Sequence, residues 1–208
     1  MIDDSFNRSM VSAMPEQSDS RDAILSAAMT RILHYGYGKT TMAEIAKDCD
    51  MSAGNIYRFF KSKLDIAEAM ARKFNQTIFQ AFSEIVRRSD ESALDRVREF
   101  FQSRLDRTYH LLEEDPKKLE LAEVLGSERP GFANEQFAQE RIYIVELLEQ
   151  GIERGEIAPL DNCNFTAEML QTALMKFEYP QLWTQLSMEK LQREFDGVMD
   201  LLIKALKA

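Results

Sequence analysis

The sequence predicts an all-α protein of about nine helices. Three observations carry that expectation. Met, Leu, Ala, Glu, Gln and Arg, which lose little freedom in a helix, are abundant, whereas the 208 residues include only five prolines and eight glycines. Apolar residues recur at helical spacing, and no segment alternates as a strand would. Capping residues stand at the starts of these periodic segments. At 45% hydrophobic and 29% charged, the chain has the apolar content of a globular protein rather than a disordered one.

Residues 1–19, polar and Ser-rich, are expected to be a disordered tail. The first helix should start after Asp19 or Ser20 and line up Ile24, Leu25, Ala28, Ile32 and Leu33. It should stop at Tyr35–Gly38, where glycine can take the left-handed conformation. Thr41 followed by Glu44 is a capping box for a second helix ending near Cys49. Ser52 opens a third, expected to reach about Phe60, and Ser62 with Asp65 opens a fourth, running to about Arg88. Ser92 and Asp95 open a fifth helix to Glu114. Asp115-Pro116 opens a sixth, expected to stop at Gly126 before a loop "SERPGF". A seventh should run from about Ala133 to Arg154 and end at Gly155. An eighth starts near Asn162 or Asn164 and is kinked or ended by Pro180; Ser187 caps a ninth, to about Leu206.

Net charge is −9, which argues against a grip on nucleic acid by the whole chain. The charge is uneven, however. Residues 21–68 hold seven bases and six acids, whereas residues 69–208 hold eighteen bases and twenty-five acids. Cys49 and Cys163 lie far apart without metal-ligand spacing, as free thiols of a reducing cytoplasm would. No apolar run suits a membrane span, and the acidic N-terminus lacks a signal-peptide core. There is no P-loop, GxSxG or HExxH motif, and two histidines offer little for acid–base chemistry. No enzyme activity and no cofactor are expected. His110, with Asp106 and Glu114 four residues to either side, has metal-like spacing, but a solvated face of helical ion pairs is the simpler reading, so no metal site is expected. His34 reads as a cation at a helix C-terminus.

The stretch from Thr40 to Lys63 has the makings of a helix-turn-helix. Two short helices crossing at a wide angle need apolar inner faces and a small residue at their crossing. Ile45, Cys49, Met51, Ile56 and Phe59 fall inward, Ala46 is the small residue, and Asp50 stands where the turn needs left-handed backbone. Ser52, Ala53, Gly54, Asn55, Tyr57 and Arg58 then face outward. Small residues allow close approach to bases; Asn55 can bond a base edge, and Arg58 a guanine or a phosphate. Tyr57, Lys61 and Lys63 are placed for phosphates, as are the starts of the second and fourth helices. Double-stranded DNA is thus the expected partner. The alternative is a helical protein–protein interaction module without DNA binding.

The residues Thr40, Thr41, Ile45, Ala46, Ser52, Gly54, Tyr57, Phe60, Ser62 and Lys63 closely resemble the DNA-binding motif of TetR-family regulators, with Cys49-Asp50-Met51 for the usual Ala-Gly-Val and Phe59 for the usual His. The resemblance adds Thr40 and Thr41 to the DNA-contacting set. It divides the chain into a DNA-binding domain at 20–68 and an effector-binding and dimerisation domain at 69–208. It also implies a homodimer on a pseudo-palindromic operator, released by a small molecule, with repression the expected sign. A two-fold dimer fits half-sites about 34–36 Å apart.

For the C-terminal domain the resemblance places Phe101, Leu105, Tyr109, Tyr143, Leu147, Lys176 and Phe177 around the effector, with Trp183 as a further polar tip; the aromatic, Met-rich interior points to an apolar ligand. The stripes on the last two helices suit either a monomer core or half of a four-helix bundle between subunits. The family favours the bundle, with Phe165, Met169, Leu191, Phe195, Val198 and Leu202 at the interface.

Overall fold

The computed structural model describes residues 13–114, 116–179, 182 and 186–208. Nine α-helices are present among them: α1 (Ala13–Tyr35), α2 (Met42–Asp48), α3 (Ala53–Ile56), α4 (Lys63–Arg87), α5 (Ala93–Glu114), α6 (Pro116–Glu128), α7 (Pro130–Glu153), α8 (Cys163–Leu174) and α9 (Met188–Leu206). A 3₁₀ turn, Met175–Glu178, follows α8. One antiparallel bridge, Ile157 with Lys207, ties the C-terminus to the turn after α7, and no strand occurs among the described residues.

Capping residues set most of the boundaries. The Thr41 hydroxyl accepts from the Glu44 N–H at 3.3 Å while the Glu44 carboxylate accepts from the Thr41 N–H at 2.9 Å, a complete capping box. Ser52, Ser62, Asn162 and Ser187 cap α3, α4, α8 and α9 in the same sense.

Four expectations are corrected. α1 begins at Ala13, inside the stretch expected to be disordered, while residues 1–12 lie outside the described residues. Ala, Met, Glu and Gln are good helix formers there, and Pro15 falls in the first turn, where its missing N–H costs nothing. α3 ends at Ile56; the chain continues to Phe60 as tightened turns, with Arg58 N–H to Asn55 O at 3.0 Å and Phe59 N–H to Ile56 O at 3.0 Å. Gly126 does not stop α6, because one exposed glycine costs only about 1 kcal/mol in a helix. "SERPGF" is therefore not a loop: only Arg129 separates α6 from α7, whose first residue is Pro130.

Two cores result. Ile24, Ala28, Ile32, Ile45, Ala46, Ile56, Phe60, Ile66 and Met70 form the smaller one, from α1 to the start of α4. Phe82, Val97, Phe100, Leu105, Ile144, Leu147, Leu170, Phe177, Leu191 and Phe195 belong to the larger one. α4, about 37 Å long at 1.5 Å per residue, contributes to both, so it links them mechanically.

Candidate functional site

The turn between α2 and α3 is built on a left-handed residue. Asp50 has φ of 53°, the only positive φ at a non-glycine among the described residues. The Met51 N–H reaches Ala46 O at 2.8 Å and the Asp50 N–H reaches Lys47 O at 3.2 Å. These two bonds are the Schellman pattern, which satisfies the end of α2 and turns the chain sharply into Ser52. Ile45, Ala46 and Ile56 are fully buried beneath it; Cys49, Met51 and Phe59 pack at its edge. Arg21 of α1 closes the far end, donating to Phe59 O at 3.1 Å with its guanidinium 4.1 Å from the centre of the Phe60 ring.

On the outward side Ser52, Ala53, Gly54, Tyr57, Arg58 and Lys61 are exposed and Asn55 is half-buried. Tyr57 keeps 53% of its surface in solvent. A Cβ added at Gly54 would meet nothing within 4 Å among the described residues, so none of them covers this face there. The side chains of Asn55, Tyr57, Arg58 and Lys61 make no hydrogen bond or ion pair among the described residues. Lys39, in the turn before α2, is another exposed base that the sequence reading passed over; its only sequence signal is its position beside Thr40 and Thr41.

Four predicted contact residues are otherwise engaged, among them Ser52, whose hydroxyl accepts from the Asn55 N–H at 3.2 Å to cap α3. Thr40 is 1% exposed, and its hydroxyl donates to Gly36 O at 2.9 Å. Lys63 donates to Tyr37 O at 2.6 Å and Thr40 O at 2.8 Å and lies over the Tyr37 ring, with burial pulling its pKa down. Thr41 is exposed, but its hydroxyl belongs to the capping box. Thr40 and Lys63 thus brace the α1–α2 turn instead of presenting themselves to solvent. The reason is local: glycines at 36 and 38 leave carbonyls of this turn without helical partners, and these two side chains supply donors.

That turn is also held from the C-terminal domain. Glu120 of α6 accepts from the Tyr37 N–H at 3.2 Å and the Gly38 N–H at 3.0 Å. Lys117 donates to Leu33 O at 2.9 Å and His34 O at 2.6 Å, capping α1. Gly36 has φ of 90°, and a Cβ there would lie 3.1 Å from the Glu120 carboxylate. Arg129 adds a hydrogen bond to Asp65 at 2.5 Å and an ion pair with Glu68 at 3.3 Å on α4.

The predicted effector residues do not gather round one cavity. Phe101, Leu105, Leu147 and Phe177 are buried in the larger core. Lys176 is paired with Glu194, and Tyr109 packs at the edge of the core. Tyr143 alone lines a described cavity, an open groove of about 430 Å³ with Gln76, Phe79, Ser83 and Arg87. Trp183 lies outside the described residues. A second cleft, of about 180 Å³, lies between α5, α7 and the 3₁₀ turn and is lined by Arg104, Gln136, Phe137, Glu140, Glu178 and Tyr179. Sequence reasoning missed it. The available signal was Arg104, a base set within the apolar stripe of Phe100, Phe101 and Leu105.

Of the predicted dimer residues, Leu191 and Phe195 are fully buried in the chain's own core and are unavailable to a partner. Val198 and Leu202 are half-buried, while Phe165 and Met169 are 58% and 42% exposed. Ile142 and Leu201 are further exposed apolar residues. His110 bonds the Asp106 carbonyl through Nδ1, and no group of metal-ligating side chains occurs among the described residues.

Known proteins share both parts. A family model described as bacterial regulatory proteins, tetR family, matches residues 24–70; one described as tetracyclin repressor-like, C-terminal domain, matches residues 93–199. The HTH-type transcriptional repressor KstR2 of Mycobacterium tuberculosis is 26% identical over 140 residues, covering 67% of this chain and 70% of that protein. A transcriptional regulator from Cytophaga hutchinsonii has the same fold, with a TM-score of 0.66 and 24% identity over 90% of this chain and 98% of that one. The repressor FadR of Thermus thermophilus, solved in complex with lauroyl-CoA, has a TM-score of 0.66 at 21% identity, covering 90% and 95%.

Proposed function

Because the chain belongs to the tetR family of bacterial regulatory proteins, it is a DNA-binding transcriptional regulator, and we propose that it represses its target by inserting α3 of each subunit of a homodimer into successive major grooves. The observation that carries this reading is the bare outward face of α3. Ser52, Ala53 and Gly54 are small and exposed, and the side chains of Tyr57 and Arg58 beside them make no hydrogen bond or ion pair among the described residues. Arg58 and Asn55 read base edges; Tyr57, Lys61 and Lys39 take phosphates. The exposed Phe165 and Met169 on α8 contribute to the interface between subunits. The protein works in the cytoplasm, without catalysis of its own; no described helix is long and apolar enough to cross a membrane.

Release runs through α6. An effector held in the C-terminal domain shifts α6, and Lys117 and Glu120 carry the shift into the α1–α2 turn that Thr40 and Lys63 brace. The effector must bind one arrangement better than the other for this to work.

Binding to a duplex from the protein's own upstream region, titrated with salt, tests the reading. Affinity should fall steeply with salt, as phosphate contacts demand. The Arg58→Ala exchange should cost about 1–3 kcal/mol of specific binding without changing thermal stability. Full affinity in a Tyr57→Ala/Arg58→Ala variant, or indifference to salt, would reject the assignment; the latter is the behaviour expected of a protein–protein module.

A further inference from the structure

Three charged side chains line the cleft between α5, α7 and the 3₁₀ turn: Arg104, Glu140 and Glu178. Arg104 is paired with both carboxyl groups, with Glu140 of α7 and with Glu178 at 2.5 Å. One cation therefore serves two acids, and the lining falls one positive charge short. Glu178 carries the deficit. Its side chain is only 5% exposed; one oxygen is held by Arg104, and the other, Oε1, is buried with no hydrogen-bond partner among the described residues. Burial pushes its carboxyl up, towards the neutral form, against the pull of Arg104 and the weaker pull of Arg107. Arg107 is half-buried and does not belong to the lining. The protein's own cations thus compensate the Glu178 charge only in part, which is costly for a buried carboxyl.

The sign of the missing partner follows from this count. Arg104 Nε is also buried without an acceptor, but its guanidinium already has two carboxyl groups, and an incoming anion would be repelled by both. A cation with N–H groups would meet one unmatched acid and bring the donor that Oε1 lacks. The other walls suit an organic body. Phe137 and Tyr179 offer aromatic surface, which attracts cations, and Ala133 is small. Tyr179 is exposed, so this wall reaches solvent.

We propose that the effector is a small organic cation, a protonated amine with an apolar body, docked against Glu178 in the cleft between α5, α7 and the 3₁₀ turn. The inference rests on the reading of the C-terminal domain as effector-binding. The ammonium donates to Glu178 Oε1 and holds that group as a carboxylate, while Arg104 keeps Glu140 and the other Glu178 oxygen. Phe137 and Tyr179 flank the apolar body. The cleft, about 180 Å³, is smaller than the usual ligand site of about 300–1,000 Å³, so it suits a short amine or the head of a longer one. Only Arg129 separates α7 from α6, so a ligand wedged between α5 and α7 bears on the helix that holds the α1–α2 turn.

The test titrates the full-length protein calorimetrically with benzylamine and with straight-chain primary amines from ethylamine to octylamine, each against the alcohol of the same skeleton. DNA binding is measured with and without each compound. At least one amine should bind about tenfold or more tighter than its alcohol and weaken DNA binding. Glu178→Gln, which keeps the shape and removes the charge, should abolish that preference. Tyr179→Ala, at the exposed wall, should leave thermal stability unchanged and weaken the amine about fivefold or more; it decides the matter if Glu178→Gln does not fold. Equal binding of amines and alcohols, no amine binding at millimolar concentration, an unchanged preference in folded Glu178→Gln, full amine affinity in Tyr179→Ala, or an amine that binds without affecting DNA would each overturn the proposal. If DNA binding by the ligand-free protein holds while these fail, only the effector's chemistry is wrong; if the ligand-free protein ignores DNA, the regulatory reading falls with it.

Discussion

The helix-turn-helix unit and the interior of the C-terminal domain solve the same problem, the placement of polar groups, in opposite ways. In the first, the caps of α2 and α3 and the turn between them are satisfied by near neighbours: Glu44 by Thr41, Asn55 by Ser52, Met51 by Ala46. In the second, Arg104 depends on Glu140 and Glu178, which arrive from other helices, and several polar atoms there remain unsatisfied. A unit that must present a fixed surface to DNA gains from local closure. A unit that must change on binding a ligand gains from polar groups that the protein alone does not satisfy, because the ligand then has free energy to contribute.

The sharpest way to break this contrast is Arg104→Met. It strands Glu140 and Glu178, both almost inaccessible, and should cost about 3–5 kcal/mol in urea unfolding. The same exchange one turn on, at Arg107, is expected to be neutral. Two Arg-to-Met changes on one helix face thus separate a cation the fold needs from one it tolerates. Equal losses at both positions would mean that Arg107 has a structural partner and that the contrast is false.

A smaller effect tests the local side. Thr41→Val removes the cap hydroxyl of α2 and should destabilise by about 1 kcal/mol at neutral pH. The Thr41 hydroxyl, then the Thr41 N–H, hold the Glu44 carboxyl below the usual range, and the hydrogen bond from Arg31 does the same for Asp48. A carboxyl with a lowered folded pKa stabilises fully above its unfolded value, near pH 4, and loses that contribution as pH falls through the folded value. The deficit of Thr41→Val should therefore be complete at pH 7 and shrink below about pH 4. Melting curves of both proteins across that range would show it; a deficit constant with pH would mean that the hydroxyl does not act through Glu44.

These differences explain what could be read in advance. The helix count, the capping box, the left-handed Asp50 and the outward row from Ser52 to Arg58 are encoded within four residues or fewer, where side-chain type and spacing determine geometry. Thr40 and Lys63 were misplaced because their partners, the carbonyls of Gly36, Tyr37 and Thr40, exist only once the glycine turn has formed. Glu120 and Lys117 reach residues more than eighty positions away in sequence, a distance at which single-sequence pattern carries no information. Leu191 and Phe195 show the same limit for apolar residues: periodicity identifies a buried face but not whether the burying surface belongs to the same chain.

The smallest predicted effect lies at the turn itself. Asp50 adopts a conformation that glycine enters without a Cβ clash, and its side chain is exposed. Asp50→Gly should stabilise the folded chain, but by only about 0.5 kcal/mol, because aspartate tolerates this region and glycine adds freedom to the unfolded chain. The exchange also removes an acid three residues before the start of α3, so DNA affinity should rise as well. The two gains have different origins and separate by salt. Relief of the backbone is indifferent to ionic strength, whereas an electrostatic gain beside the phosphates fades as the Debye length shortens from about 10 Å at 0.1 M to about 3 Å at 1 M. A stability gain that disappeared with salt would show that Asp50 is disfavoured by its charge rather than by its φ, and that the turn holds no strain for glycine to relieve.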